Sequence, residues 1–169
     1  MGVEEHRAAA TASPGWAVIT VSDSRTEADD LSGAALVDRV RAAGQQVARR
    51  TIVRDRVAEI RDAVRRALAD PRVDGVLVTG GTGPAPRDVT PEAIQPLLER
   101  ELPGFGELFR MLSYAEIGAA AMLSRALAGV ARQKAIFLLP GSPKAMRLAF
   151  DRLILPEIAH LLAQLRRSR

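Results

Sequence analysis

Three segments of different character follow one another in VDGVLVTGGTGPAPRDVTPEA, residues 73–93. The short apolar run VDGVLVT (73–79) suits a strand buried on both faces of a parallel sheet. TGGTGPAPRD (79–88), with three glycines and two prolines, suits neither helix nor strand. Thr90-Pro91-Glu92 then reads as a helix start, with Thr90 as N-cap, a proline at the first helical position and a carboxylate in the first turn. Strand, loop and helix in that order make the repeating unit of an α/β fold.

The same order recurs to either side. WAVITVS (16–22) reads as a strand, followed by Leu36, Val40 and Ala43 at helical spacing up to Gly44. QQVARRTIV (45–53) reads as a weaker, edge strand, and Val57, Ile60, Val64 and Leu68 mark a helical face that ends near Asp70-Pro71. Downstream, Phe105, Leu108, Phe109 and Leu112 define another helical face, and the alanine-rich residues 116–130 are predicted helical. KAIFLLP (134–140) is a fourth strand, and the last helix starts at about Pro143 and is interrupted near Pro156. The expectation is a single three-layer α/β/α domain over residues 15–169, with a mainly parallel sheet and a disordered lead-in over 1–14.

Composition narrows the function. A chain of 169 residues with 47% apolar and 26% charged residues is long enough for one well-filled core. No apolar run approaches the roughly 20 residues of a membrane helix. The opening MGVEEHRAAATASPG lacks the apolar core of a secretory signal, so a cytoplasmic protein without membrane contact is expected. The absence of cysteine removes disulfides, thiolate metal sites and cysteine nucleophiles, and His6 and His160 are the only histidines. A metal would therefore sit on oxygen ligands, which favours magnesium. The net charge of +4 raises nucleic acid as a partner, but basic residues are interleaved with acidic ones and aromatics amount to 4%, so none is expected.

In open parallel sheets ligands bind outside the carboxyl ends of the strands. Four short polar or glycine-rich segments fall there: Ser22-Asp23-Ser24, Arg54-Asp55, the Thr79–Gly83 stretch and Pro140-Gly141-Ser142-Pro143. Each alone has an ordinary explanation: Asp23 in an Asx turn, Asp55 capping the next helix, glycines closing βα turns. Their convergence on one edge points to a site. The glycine loop is not a P-loop, which needs Lys-Ser or Lys-Thr where this chain has Arg87-Asp88. Nor is it a dinucleotide fingerprint, whose third glycine would fall on Pro86. What remains is a loop of free backbone N–H groups suited to phosphate oxygens, with the guanidinium of Arg87 suited to anions and the carboxylate of Asp88 suited to a cation. A plain Arg87–Asp88 surface pair is the alternative at this point.

TGGTGPAPRDVTPEA (79–93), LPGFGELFR (102–110), MLSRALAG (122–129) and LPGSPKA (139–145), together with TVSDSRT (20–26) and the Asp29–Gly33 segment, resemble the MoaB/Mog family of molybdenum-cofactor biosynthesis, to which the gephyrin G domain is related. The resemblance runs from about Trp16 to about His160 with its motifs in order, and FGELFRMLSYAEIGAAAMLSR looks closer to the MoaB branch than to the Mog branch. It implies a molybdopterin adenylyltransferase, in which the terminal phosphate of molybdopterin attacks the α-phosphate of ATP with magnesium present. By that match Asp55 and Asp88 are the essential carboxylates and hold magnesium, while the Thr79–Gly83 stretch, including Gly80, Gly81 and Thr82, meets phosphates. Ser22, Asp23, Ser113, Ser124 and Pro140 to Pro143 align with ligand-contacting positions. Without the resemblance, Ser113 would be a helix end and Ser124 a small packing residue. The resemblance also implies a homo-oligomer, trimer or hexamer, with the 117–130 segment as a candidate contact between copies. The alternative to an enzyme is a catalytically idle pterin-binding or scaffold paralogue using the same pocket.

Overall fold

The computed structural model describes residues 13–167. Residues 1–12 of the expected lead-in, and Ser168 and Arg169 of the basic tail, lie outside the described residues. Ser13 and Pro14 are already tied to the fold, Ser13 Oγ donating to Gly44 O (2.8 Å) and Pro14 O accepting from Gln46 N (3.1 Å).

In chain order the elements are β1 (Gly15–Val21), α1 (Leu31–Ala42), β2 (Gln46–Val53), α2 (Val57–Ala69), β3 (Gly75–Thr79), α3 (Thr90–Ile94), β4 (Arg100–Glu101), α4 (Pro103–Ile117), β5 (Leu127–Ala131), β6 (Lys134–Leu139), α5 (Pro143–Ala149) and α6 (Leu155–Leu165). One six-stranded sheet has the order β2-β1-β3-β6-β5-β4. The first four of these are mutually parallel, so their carboxyl ends share one edge; β5 runs antiparallel to β6, and β4 to β5. The arrangement is the α/β fold expected, and β2 is the edge strand expected.

Alternate residues of the buried strands feed two cores, as the two-residue period of a strand requires. Trp16, Val18, Leu77, Phe137 and Leu139 face α1, α4, α5 and α6, while Ala17, Ile19, Val76, Val78, Ile136 and Leu138 face α2 and α3. Trp16 anchors the first core. It is fully buried, lies 6.3 Å from the ring of Phe137 and 6.1 Å from that of Phe150, and its Nε1 donates to Gln45 Oε1 (2.7 Å). Gly75 makes room for it, since a Cβ there would stand 2.4 Å from the indole. At the amino end of the sheet, Asp70 accepts from Arg72 Nε (3.0 Å), Nη2 (2.7 Å) and backbone N (3.0 Å), and this pairing holds its carboxyl well below the usual carboxylate range. Among the described residues no helix is long and apolar enough to cross a membrane.

Three expectations are corrected. Residues 116–130 are not one helix: α4 ends at Ile117, Gly118 takes φ +63°, a 3₁₀ turn covers Gly118–Leu123, and β5 follows. Helix propensity is a weak determinant even for alanine, the strongest helix former, and pairing with β6 overrides it. The β5–β6 hairpin also escaped notice because its two-residue turn, Arg132-Gln133, holds both residues at positive φ (51° and 60°) without the usual Asn-Gly signal. Thr90 is not the N-cap; Val89 occupies that position, and the Thr90 hydroxyl donates to Gly80 O (2.9 Å). Leu108 is 47% exposed, so the buried side of α4 is Phe105, Gly106, Phe109 and Ser113. The break near Pro156 is a π-helical turn over Phe150–Ile154, which accommodates a proline ring that would clash with the carbonyl four residues earlier.

Candidate functional site

The four predicted loops meet at the carboxyl edge of β2, β1, β3 and β6. Thr79, fully buried at the end of β3, donates its hydroxyl to Pro140 O (2.8 Å) and braces the glycine loop against the loop after β6. The chain then turns through Gly80 (φ +105°) and Gly81 (φ +64°), a conformation L side chains rarely adopt. Both glycines are also hemmed in. A Cβ on Gly80 would lie 2.4 Å from Val21 O, and one on Gly81 would lie 2.2 Å from Thr90 Oγ1 and 3.0 and 3.1 Å from the two carboxylate oxygens of Asp55. At Gly83 the added carbon would meet Asp88 Oδ2 at 2.6 Å. Asp55 and Asp88, from loops after different strands, thus flank the Gly81–Gly83 backbone.

Asp55 does not cap the following helix. Its carboxylate accepts from Val89 N (3.4 Å) across the site, and its own backbone N–H donates to Asp23 Oδ1 (3.1 Å). Burial pushes the Asp55 carboxyl above its ordinary range; the Val89 N–H opposes this, the charges of Asp88 and Asp23 reinforce it, and Arg87 opposes it again. Asp88 accepts from Ala85 N (3.1 Å), and Arg87 is exposed. The carboxylates of Asp55 and Asp88 on either side of the loop are hard oxygen donors whose mutual repulsion a divalent cation would relieve. Among the described residues, no group of three or more acidic or histidine side chains forms a ready-made metal site. A cation here would draw its remaining ligands from water and a bound phosphate, as magnesium commonly does.

Ser22 Oγ accepts from Ser24 N (3.3 Å) and Arg25 N (3.2 Å), so serine, not Asp23, makes the local turn. A small cleft of about 170 Å³ lined by Ser22, Arg25, Ser32, Thr79, Gly80 and Gly141 opens between the ends of β1, β3 and β6. On the β2 side, Ser22, Asp23, Arg25, Arg50 and Arg54 line a larger one of about 650 Å³. The loop after β6 touches its neighbours: Gly141 O accepts from Ser32 Oγ (2.6 Å), and a Cβ at Gly141 would be in ordinary contact with Gly80 Cα (3.6 Å). Ser142 is the N-cap of α5, accepting from Ala145 N (3.2 Å), with Pro143 opening that helix. Ser124 adjoins the glycine loop, since the next residue, Arg125, donates its N–H to Thr82 O (3.0 Å). The last turn of α4 stands beside the start of α5 through the Glu116–Lys144 ion pair (3.1 Å), and there Ser113 is buried with no hydrogen-bond partner for its Oγ among the described residues. Thr82 is buried, so its part in the loop is through its backbone.

Several participants escaped the sequence reading: Arg25, Ser32, Thr90 and above all Arg125. The last lies inside MLSRALAG, directly after Ser124, but nothing in the motif shows that its guanidinium folds back onto the glycine loop. A separate apolar cleft of about 530 Å³, lined by Leu102, Phe105, Phe137, Ile158 and Leu161, contains none of the predicted site residues.

Residues 17–160 match the family described as "probable molybdopterin binding domain". The molybdenum cofactor biosynthesis protein B of Bacillus subtilis (strain 168) is 47% identical over 170 residues, covering 100% of both chains. A crystal structure of a molybdenum cofactor biosynthesis protein B superposes with a TM-score of 0.91 at 46% identity, covering 93% of this chain and 98% of the other. A structure of MogA superposes with a TM-score of 0.80 at 28% identity, covering 89% and 99%.

Proposed function

We propose, from the premise that this chain belongs to the MoaB/Mog family, that it works in molybdenum cofactor biosynthesis by transferring an adenylyl group from ATP to molybdopterin. An oxygen of the terminal phosphate of molybdopterin bonds to the α-phosphorus of ATP, the bond from that phosphorus to the bridging oxygen of the β-phosphate breaks, and pyrophosphate leaves with the electron pair. The observation that carries this reading is the pair Asp55 and Asp88 flanking a glycine loop with no room for a Cβ at Gly80 or Gly81.

Two phosphate-bearing substrates repel each other, so placement and charge neutralisation supply most of the rate. The backbone N–H groups of Gly81, Thr82 and Gly83 bind phosphate oxygens, that of Gly80 being donated to Leu139 O (3.1 Å), and Arg87, exposed at the loop's end, adds a cation. Asp55 and Asp88 would hold magnesium, which when bound would neutralise charge on the transferring phosphate. Asp23 fixes Asp55 through its backbone N–H. Ser22, Ser113, Ser124 and the 140–143 loop orient the two ligands.

Self-association belongs to the same reading. Leu108, Met111, Tyr114 and Ile117 are 47–65% exposed at three-residue intervals along α4, and Met122 and Leu123 continue the patch at 76% and 53%. An apolar stripe of this size suits a second copy of the chain. The contact thus shifts from 117–130, whose strand half is buried in the sheet, toward α4 and the 3₁₀ turn.

Incubation with molybdopterin, ATP and magnesium tests the activity. Adenylyl-molybdopterin and pyrophosphate should form, and chelation with EDTA should abolish both. Tight pterin binding with no product would leave the idle scaffold ahead.

A further inference from the structure

We infer that Arg125 is the positioning residue of this site: its guanidinium closes the excursion of chain from Gly83 to Asp88 and so sets where the Asp88 carboxylate stands. The part of this inference that concerns rate rests on the adenylyl-transfer reading; the clamp itself does not. Arg125 lies between the 3₁₀ turn and β5, far from the loop in sequence. Its Nε donates to Gly83 O (3.0 Å), one Nη donates to Asp88 O, and the other pairs with the Glu92 carboxylate in the first turn of α3. Its backbone N–H donates to Thr82 O (3.0 Å). One side chain therefore joins both ends of the excursion and fastens them to the next helix.

The rest of the loop explains why this matters. Asp88 N donates to Ala85 O (2.9 Å) and Ala85 N to the Asp88 carboxylate (3.1 Å), which ties residue 85 to 88 but not residue 83 to either. The proline at 84 carries no N–H and the one at 86 none either, so the excursion has few donors for internal bonds. A planar fork of five N–H donors spans two carbonyls and a carboxylate at once, which a lysine ammonium on a flexible stem cannot reproduce. The two arginines of the site thereby divide their labour. Arg87 is exposed and adds its charge near Asp55, whereas Arg125 directs one donor of each of its three guanidinium nitrogens at a protein oxygen.

The test uses Arg125→Ala and Arg125→Lys in the full chain, with Asp88→Asn alongside. Amide hydrogen exchange of residues 82–90 should rise by about tenfold or more in Arg125→Ala, with the strands of the sheet unchanged. In adenylyl transfer, kcat should fall by about 30-fold or more while KM for ATP stays within about threefold, because placement and not binding is lost. Millimolar methylguanidinium should restore part of kcat in Arg125→Ala. Arg125→Lys should keep the charge but not the bridge, and its kcat should still fall by about tenfold. Wild-type exchange at 82–90 in the alanine variant would overturn the clamp. A rise in KM with kcat intact, or a fully active lysine variant, would make Arg125 a phosphate contact instead. If Asp88→Asn keeps the wild-type rate, Asp88 is not the metal-holding carboxylate; if the wild type forms no adenylyl-molybdopterin, the adenylyl-transfer reading fails, and in either case the exchange measurement still decides the clamp. Should the alanine variant not fold, the lysine variant carries the same readouts.

Discussion

Alanine at position 81 perturbs the glycine loop at its tightest point. The native φ of +64° costs an L residue roughly 1–2 kcal/mol. The new Cβ would stand 2.2 Å from Thr90 Oγ1, so the Thr90 hydroxyl must leave Gly80 O. Thr90 is fully buried, and stranding its hydroxyl costs a further ~1–3 kcal/mol. If the loop holds its shape, Gly81→Ala should therefore lose about 2–5 kcal/mol, a Tm drop of roughly 4–20 °C for a chain of this size. If the loop yields instead, its N–H groups and the Asp55 oxygens, 3.0 and 3.1 Å from the new carbon, must move, and ATP affinity should fall by about tenfold or more. Calorimetric melting and ATP titration of the same preparation distinguish the two routes. Gly104→Ala is the control: it has open space around the added carbon in the first turn of α4 and should be neutral or slightly stabilising. Gly81→Ala with unchanged Tm and unchanged ATP affinity would refute the reasoning.

Asp70→Asn should lower Tm at neutral pH and lose that effect in acid. The folded-state pKa of Asp70 is depressed, so its contribution is present above the unfolded value of about 3.9 and fades as pH falls below it, which a Tm series in pH checks. Arg132-Gln133→Asn-Gly suits the two positive φ angles of the β5–β6 turn and should add about 1 kcal/mol, raising Tm by roughly 2–4 °C. Tyr114→Glu, in the middle of the exposed α4 stripe, should convert an oligomer to monomers by light scattering; a wild-type chain already monomeric at micromolar concentration would remove the assembly proposal.

Legibility in the sequence followed how local each signal is. The strands at 16–22, 73–79 and 134–140 were readable because both faces are buried, which leaves continuous apolar runs, and the helix at 57–69 because its apolar face recurs at helical spacing. From that order alone the four loops fall on one edge, since parallel strands send all their carboxyl ends to the same side. β5 was not readable. Its Ala-Gly-Val-Ala run gains strand character only by lying between β6 and β4, and Gly129 is needed because a Cβ would meet Arg100 O at 2.7 Å. Among site residues, Asp55, Asp88 and the glycines stand in recognisable motifs, whereas bracing by Thr79, Thr90 and Arg125 depends on partners 10–61 residues away. No periodicity reports such a contact.

The most direct test of the central claim is the initial rate of adenylyl-molybdopterin formation from ATP, molybdopterin and magnesium, compared between wild type and Asp88→Asn. Asparagine keeps the shape and can still accept from Ala85 N, so the fold and pterin affinity should survive while the charge that holds the cation is lost. The wild type should form product, and the variant should be slower by about 100-fold or more, a barrier increase of roughly 2.7 kcal/mol, at a closely similar Tm. A variant within a few-fold of the wild-type rate would contradict the assignment of the metal-holding carboxylate, and a wild type that binds pterin but forms no product would contradict the enzyme itself.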